Sequence, residues 1–173
     1  DTIHNTAVVI GNRGNIIGSH RKNHIPRVGD FNESTYYMQG EDGHPVFETK
    51  YGRVAINICY GRHHPLNWLM FGINGAEIVF NPSATTKGHS DYLWRLEQPA
   101  AAVANEYFIG AINRVGTEPY GDNDFYGSSY FVDPRGQIVG EAASDSEEEL
   151  VVRDLDLDMI DTVRRTWAFY RDR

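Results

Sequence analysis

The segment Cys59-Tyr-Gly-Arg-His-His64 carries the residue types best suited to covalent chemistry. Cys59 ends an apolar run, and Pro65, a residue favoured at the first position of a helix, follows the segment. A strand, a sharp turn with a nucleophile and a helix form a nucleophile elbow, which lifts the side chain out of the sheet. Backbone N–H groups at such a turn can stabilise a developing oxyanion. The pattern predicts that Cys59 is a nucleophile, although a lone cysteine is often simply buried in a core.

Two further ionisable residues could assist a thiolate. Lys22 directly follows a predicted strand and could supply a cation close to the thiolate and the oxyanion, or it could be a solvated strand tip, which is the usual place of a lysine. Glu33 could be its partner carboxylate or an exposed turn residue. His63 and His64 are adjacent, so their side chains diverge and a shared metal ion is not expected. We predict neither a metal nor a cofactor, and no local signature supports a Cys–His protease dyad.

Composition excludes several classes of protein. The 173 residues include 16 Lys and Arg against 24 Asp and Glu, a net charge of −8, whereas a nucleic-acid-binding protein needs a basic face. No apolar run approaches the roughly 18 residues of a membrane span. A single cysteine permits no internal disulfide and excludes the common structural zinc sites. We expect a cytoplasmic protein with a small-molecule substrate and no nucleic-acid or membrane partner.

The predicted elements that must position Cys59 alternate between strands and helices, which indicates an α/β layered fold. Gly-rich turns predict two hairpins, and alternating apolar residues predict a strand that leads to Cys59. Leu66, Leu69, Met70 and Ile73 share one face of a helix that begins at Pro65. The predicted strands are 6–10, 15–19, 46–49, 53–58, 77–80, 108–112, 130–132, 137–140 and 150–157. The predicted helices are 65–75, 90–106 (capped by Ser90, with a kink or restart at Pro99) and 158–168.

Several motifs, spread in order over most of the chain, together resemble the nitrilase, or carbon–nitrogen hydrolase, superfamily. The longest are Arg21-Lys-Asn-His-Ile-Pro-Arg-Val-Gly-Asp-Phe-Asn-Glu-Ser-Thr-Tyr-Tyr37 and Asn57-Ile-Cys-Tyr-Gly-Arg-His-His-Pro-Leu-Asn-Trp68. The others are 74–78, 81–85, 111–117 and 125–130. The resemblance implies an α-β-β-α sandwich and a Glu-Lys-Cys triad. Within the superfamily, these motifs are most similar to the branch that hydrolyses N-carbamoyl-β-alanine.

The resemblance assigns a role to each motif residue. It makes Cys59 the nucleophile, Lys22 the cation that stabilises the tetrahedral intermediate, and Glu33 an additional carboxylate that positions Lys22 and the substrate. The N–H of Tyr60 would complete the oxyanion site. Arg62, three residues after the nucleophile, would bind a substrate carboxylate, although an arginine paired with a structural carboxylate is an equal alternative.

Two substrate-binding candidates and one missing residue complete the implied site. His24 and Asn81 are expected to line the same pocket. The triad's general-base Glu belongs to a motif ahead of the lysine, and the 21 residues before Lys22 contain no Glu. We therefore expect residues 1–173 to be the C-terminal portion of a single domain, with a sandwich that is incomplete at its N-terminal side.

The implied reaction is hydrolysis of N-carbamoyl-β-alanine to β-alanine, ammonia and carbon dioxide through a Cys-bound acyl intermediate, a step of reductive pyrimidine degradation. Alternatives are another amidase of the superfamily, acting on N-carbamoyl amino acids or N-carbamoylputrescine, and an inactive assembly module. A cysteine protease is the last alternative. The resemblance also implies a homo-oligomer.

Overall fold

The computed structural model describes residues 2–88 and 90–173; Asp1 and His89, which the predicted single domain includes, lie outside the described residues. The strands are β1 (Thr6–Ile10), β2 (Ile16–Arg21), β3 (Phe47–Thr49), β4 (Gly52–Ile56), β5 (Ile78–Ser83), β6 (Phe108–Asn113), β7 (Val115–Thr117), β8 (Asp124–Tyr126) and β9 (Tyr130–Val132). The helices are α1 (Pro65–Ile73), α2 (Asp91–Asn105) and α3 (Asp158–Thr166).

The first hairpin forms as predicted. Strands β1 and β2 pair in antiparallel fashion, with Thr6 opposite Arg21. Gly14 adopts a φ of +78° in the connecting turn, a conformation that glycine reaches without steric cost. The hairpin leads directly to Lys22, so its register determines where that lysine enters the interior.

A five-stranded mixed sheet, in the order β3-β4-β5-β6-β9, forms the centre of the structure. Strands β4, β5 and β6 are parallel, and the edge strands β3 and β9 are antiparallel to their neighbours. Helix α1 connects β4 to β5 and α2 connects β5 to β6, and the two helices contact each other. Because the three central strands are parallel, the loops that follow them gather at one edge of the sheet.

The hydrophobic core lies between this sheet and helices α1 and α2. Ala55, Val79 and Ile109, one from each parallel strand, are completely buried. They cluster with Trp68 and Phe71 of α1 and with residues of α2. The apolar face of α1 therefore differs from the predicted one, since Leu66 and Met70 are exposed while Trp68 and Phe71 face the core.

The predicted strand at 150–157 is wrong. The segment alternates between exposed and partly buried residues, as a strand would, but it forms no strand ladder in the structure. Its anchor is instead the side chain of Arg153, whose Nε and Nη2 donate to the carbonyl oxygens of Val139 and Glu141. Residues 137–140 likewise form only a bridge, between Ile138 and Val132. Alternation of exposed and buried residues with a period of two indicates an extended chain, whereas a strand also requires a neighbouring strand to pair with.

Three other details differ from the expectation. The structure contains a short antiparallel hairpin, β7–β8, that was not predicted. Helix α2 continues through Pro99 without a restart. Ser90 is at the N-cap position of α2, but its side chain makes no capping hydrogen bond to the helix. That hydroxyl is engaged at the candidate site instead.

Candidate active site

The Cys59 turn has the geometry of the predicted elbow. Ile58 is extended after β4, Cys59 begins a 3-10 turn that ends at His63, and α1 follows at Pro65. Cys59 has a φ of +44°, in the left-handed region that costs a residue with a side chain on the order of 1–3 kcal/mol. The surrounding structure must therefore hold this residue in place. The N–H groups of Cys59 and Tyr60 are the first two of the turn. The first N–H groups of a helical turn have no acceptor within that turn, so these two are available to a ligand.

Lys22 and Glu33 form a buried ion pair beside this turn. The Lys22 side chain is 1% exposed and that of Glu33 is 14% exposed. Lys22 Nζ donates to both carboxylate oxygens of Glu33 at 2.8 Å. Asn5 Nδ2 donates a longer hydrogen bond, of 3.4 Å, to Glu33 Oε2. The solvated-tip alternative for Lys22 is therefore wrong, and a buried charge of this kind requires the partner that Glu33 supplies.

A cleft beside the turn has two lobes, which meet at Cys59. One lobe, of about 410 Å³, is lined by Lys22, Glu33 and Cys59 among others. The second, of about 290 Å³, is lined by Glu33, Cys59, Tyr60 and Arg62 among others. The two lobes share Glu33 and Cys59, so the structure brings together five residues that the sequence placed in two separate motifs.

Arg62 borders the second lobe but is almost fully buried, with 3% of its surface exposed. Its Nη2 donates to Thr85 Oγ1 at 3.2 Å and to Ser90 Oγ at 3.1 Å. Its Nε lies 3.9 Å from Glu97 Oε2. The guanidinium is thus fixed by side chains that the sequence did not single out, and Ser90 gives up helix capping to hold it. Binding of a substrate carboxylate by Arg62 stays a prediction.

His24 and Asn81 are not among the side chains that line the two lobes within the described residues. The His24 ring stacks on that of His64, with centroids 3.7 Å apart. Asn67 Nδ2 donates to His24 Nδ1 at 3.1 Å. Burial lowers the pKa of His24, and the neighbouring His64 and His44 lower it further. Contact of His24 or Asn81 with substrate stays a prediction.

A row of three buried asparagines marks the carboxyl ends of the parallel strands: Asn57 after β4, Asn81 in β5 and Asn113 at the end of β6. Asn57 Oδ1 accepts from Asn67 Nδ2 of α1. Asn113 Oδ1 accepts from the N–H of Thr85, and its Nδ2 donates to the Thr85 carbonyl. Asn57 thereby holds helix α1, and Asn113 holds the loop after β5. The signal was present in the sequence, since an asparagine follows the apolar part of each of the three strands.

Asn81 contacts the Cys59 turn itself. Its Nδ2 donates to the carbonyl oxygen of Asn57 and, at 3.3 Å, to that of Cys59. The Cys59 carbonyl accepts a second hydrogen bond, at 3.2 Å, from Arg62 Nη1. The backbone of Cys59 is therefore held by donors from two different elements.

Residues 2–88 and 90–173 contain no group of three or more His, Cys, Asp or Glu side chains that could hold a metal ion. Of the helices in the same residues, none is long and apolar enough to cross a membrane.

Comparison with known proteins agrees with this geometry. Residues 1–165 match the family Carbon-nitrogen hydrolase. Beta-ureidopropionase of Arabidopsis thaliana is 56% identical, over 98% of this chain and 45% of its own length. N-carbamoylputrescine amidase of Solanum tuberosum is 35% identical, over 98% of this chain and 60% of its own. A crystal structure of the carbon–nitrogen hydrolase from Helicobacter pylori G27 superposes with a TM-score of 0.89 at 33% identity, over 98% of this chain and 62% of that one.

This chain belongs to the carbon–nitrogen hydrolase family. The predicted fold class, a nitrilase-like α/β architecture, is confirmed by the structural match. The chain spans about half to three fifths of the length of the curated relatives it matches.

Proposed function

We propose that the protein containing this chain hydrolyses N-carbamoyl-β-alanine to β-alanine, ammonia and carbon dioxide. One observation carries the proposal: Cys59 stands at the meeting point of two lobes, with the Lys22–Glu33 pair in one and Arg62 in the other. A nucleophile between a buried cation and a guanidinium suits an amide-like substrate that has a carboxylate at its far end. The 56% identity to the Arabidopsis beta-ureidopropionase supports the same substrate.

In the proposed reaction, the Cys59 thiolate attacks the ureido carbonyl. Lys22 Nζ and the N–H of Tyr60 stabilise the resulting oxyanion, and removal of one such donor typically lowers the rate on the order of 10²–10³-fold. The intermediate collapses to a Cys-bound acyl group, which water hydrolyses. The thiol proton requires a base, and in this proposal it is a carboxylate outside the described residues, because both oxygens of Glu33 already accept from Lys22.

The test of the nucleophile measures ammonia release from N-carbamoyl-β-alanine by the intact protein. Cys59→Ala removes the thiol, so we expect turnover to fall by a factor on the order of 10⁴ or more. Circular dichroism and the unfolding midpoint establish that the variant is folded. Turnover that survives in folded Cys59→Ala contradicts the assignment.

The test of the substrate class compares two ureido compounds of opposite charge. We expect N-carbamoyl-β-alanine, an anion, to be preferred over N-carbamoylputrescine, a cation. Arg62→Ala should raise KM for the anion more than KM for an uncharged ureido compound, whereas any loss of kcat through the Cys59 carbonyl, which Arg62 Nη1 contacts, should be shared by both compounds. Arg135→Ala, in an exposed turn, is the matched control. Equal rises in KM for both compounds would leave Arg62 without a role in carboxylate recognition.

A second candidate is an amidase for N-carbamoylputrescine, which the 35% identity to the Solanum enzyme favours. The same substrate pair distinguishes it, because it predicts the opposite preference. An inactive assembly module, the third possibility, predicts no turnover of either compound by the intact protein.

We also propose that the protein self-associates in the cytoplasm. Exposed apolar side chains of α1, among them Leu66 at 72% and Ile73 at 41%, support an interface on this helix. Sedimentation velocity should detect an oligomer that Leu66→Glu dissociates. A monomeric wild-type protein would contradict the proposal.

A further inference from the structure

We propose that Asn81 is a positioning residue that, together with Arg62, holds the Cys59 carbonyl and so aims the N–H of Tyr60 into the cleft. The inference rests on the proposed function only in naming Cys59 the nucleophile and Tyr60 an oxyanion donor. The evidence that Asn81 holds the Cys59 backbone is its own hydrogen bonds, and the experiments that test this role use no substrate.

The orientation of the Asn81 amide is fixed by its own neighbours. The side chain is completely buried in β5. The carbonyl oxygens of Asn57 and Cys59 fix the orientation, because they can only accept and the atom that faces them must therefore be the amide nitrogen. Asn81 Oδ1 then accepts from Ser83 Oγ at 2.9 Å. Asn81 thus joins the backbone before the turn to the backbone within it.

Arg62 supplies the second donor. Its Nη1 donates to the Cys59 carbonyl, while Nη2 donates to Thr85 and Ser90. Because Thr85 lies in the loop after β5 and Ser90 directly before α2, they hold the guanidinium in place independently of the Cys59 turn. The Cys59 carbonyl therefore accepts from two donors that are each held by other elements.

The planarity of the peptide bond links this carbonyl to catalysis. The C=O of Cys59 and the N–H of Tyr60 belong to one trans peptide group, so they point in opposite directions. A carbonyl held by Asn81 and Arg62 on the protein side directs the N–H to the other side, and Cys59 and Tyr60 both line the second lobe of the cleft. The same hold keeps Cys59 at a φ of +44°, a conformation that a residue with a side chain otherwise avoids.

A thermodynamic cycle in urea unfolding tests the hold without any substrate. Asn81→Ala is combined with Cys59→Ala, which keeps a side chain at the strained position, and with Cys59→Gly, which removes the strain. We expect Asn81→Ala to shift the unfolding midpoint about half as far in the Cys59→Ala protein as in the Cys59→Gly protein, because the released turn relieves backbone strain only where residue 59 carries a side chain. Folding of only the Cys59→Gly double variant would overturn the proposal, because the released turn should then be equally free of strain in both backgrounds.

The matched control is Asn105→Ala in α2. Asn105 is another buried asparagine, 4% exposed, and its Nδ2 donates to the Ala101 carbonyl away from the Cys59 turn. It should give the same midpoint shift in both backgrounds. Equal shifts for Asn81→Ala in the two backgrounds would overturn the proposal, and so would failure of both Asn81→Ala proteins to fold, since the role would then be general to the structure.

A second measurement, the alkylation rate of Cys59, tests the role of Asn81 independently of whether the proposed function is correct. Cys59 is the chain's single cysteine, so its alkylation by iodoacetamide is followed by mass spectrometry without ambiguity. In Cys59-containing protein, Asn81→Ala should slow alkylation at neutral pH about tenfold, because the thiol leaves its place beside Lys22. A rate within twofold of wild type would overturn the proposal, whatever substrate the enzyme prefers.

Discussion

The parallel strands β4, β5 and β6 have an apolar part and a polar part, which we call the apolar end and the polar end, and different interactions stabilise the two. At the apolar end, Ala55, Val79 and Ile109 pack against α1 and α2 and are stabilised by burial of apolar surface. At their carboxyl ends, Asn57, Asn81 and Asn113 are also buried but are stabilised by directed hydrogen bonds, to helix α1, to the Cys59 turn and to the loop after β5 respectively. These are residues of the same strands, only two to four positions apart.

The difference between the two ends predicts that substitutions at each end will have different consequences. Apolar contacts are non-directional, so a smaller residue costs stability without reorienting its neighbours. A buried amide leaves unpaired carbonyl or N–H groups when it is removed, and the loop that it held is free to move. We therefore expect variants at the apolar end to lower stability, and variants at the polar end to lower the reactivity of the folded protein.

Among the variants that compare the two ends, the largest effect on function is expected for Lys22→Met, which lies in the cleft beside the polar end. Loss of the oxyanion cation should lower kcat on the order of 10²–10³-fold. It also leaves the largely buried Glu33 carboxylate without a partner, which can cost about 3–5 kcal/mol in the free energy of unfolding. Ammonia release and urea unfolding measure the two losses.

The double variant Lys22→Met/Glu33→Gln separates the loss of kcat from the loss of stability. Because it removes both charges, it should recover much of the stability but none of the rate. Lys50→Met, at an exposed hairpin turn, is the control and should match wild type in both assays. A single Lys22→Met variant with near-normal kcat would remove Lys22 from the mechanism.

The apolar end is tested by Ile109→Ala in β6. Ile109 is completely buried, so we expect a loss of about 2–5 kcal/mol in the free energy of unfolding. The alkylation rate of Cys59 in the folded variant should stay within twofold of wild type. Ile112→Ala, on the same strand but 46% exposed, is the control and should cost far less. Slow alkylation in folded Ile109→Ala would mean that the two ends are not independent.

The smallest effect concerns pH and His24. The pKa of His24 is lowered from 6.5, mainly by burial, so the folded state favours the neutral ring. Its Nδ1 must be unprotonated to accept from Asn67 Nδ2, whose orientation is set by the contact of Asn67 Oδ1 with His44 Nε2 at 2.8 Å. Stability from this group is present above pH 6.5 and is lost as the pH falls through the lowered pKa.

Urea midpoints measured between pH 7 and pH 5 should therefore fall less in His24→Gln than in wild type. Part of the fall should persist, because burial also lowers the pKa of His20, against the opposing effect of Asp42. His4→Gln, near the chain's start, is the control. An unchanged pH dependence in His24→Gln would show that the ring does not couple to stability.

The elements around the elbow were predictable because their signals are local. The Gly-rich turn of the β1–β2 hairpin, the strand before Cys59 and the proline at the start of α1 all lie within a few residues of what they determine. The strand predicted at 150–157 failed because pairing depends on a distant partner that alternation does not report. The β7–β8 hairpin was missed because three-residue strands carry almost no periodicity.

The candidate site divides in the same way. The sequence by itself determined that Cys59 sits on a tight turn between a strand and a helix, and that Lys22 and Glu33 belong to one motif. Only the tertiary structure decided that Lys22 is buried against Glu33, that Ser90 leaves its capping role for Arg62, and that Asn81 holds the Cys59 carbonyl. Turn and helix formation follow from interactions between neighbouring residues, whereas a hydrogen-bond partner 22 or 28 residues away is set by how the sheet and helices pack.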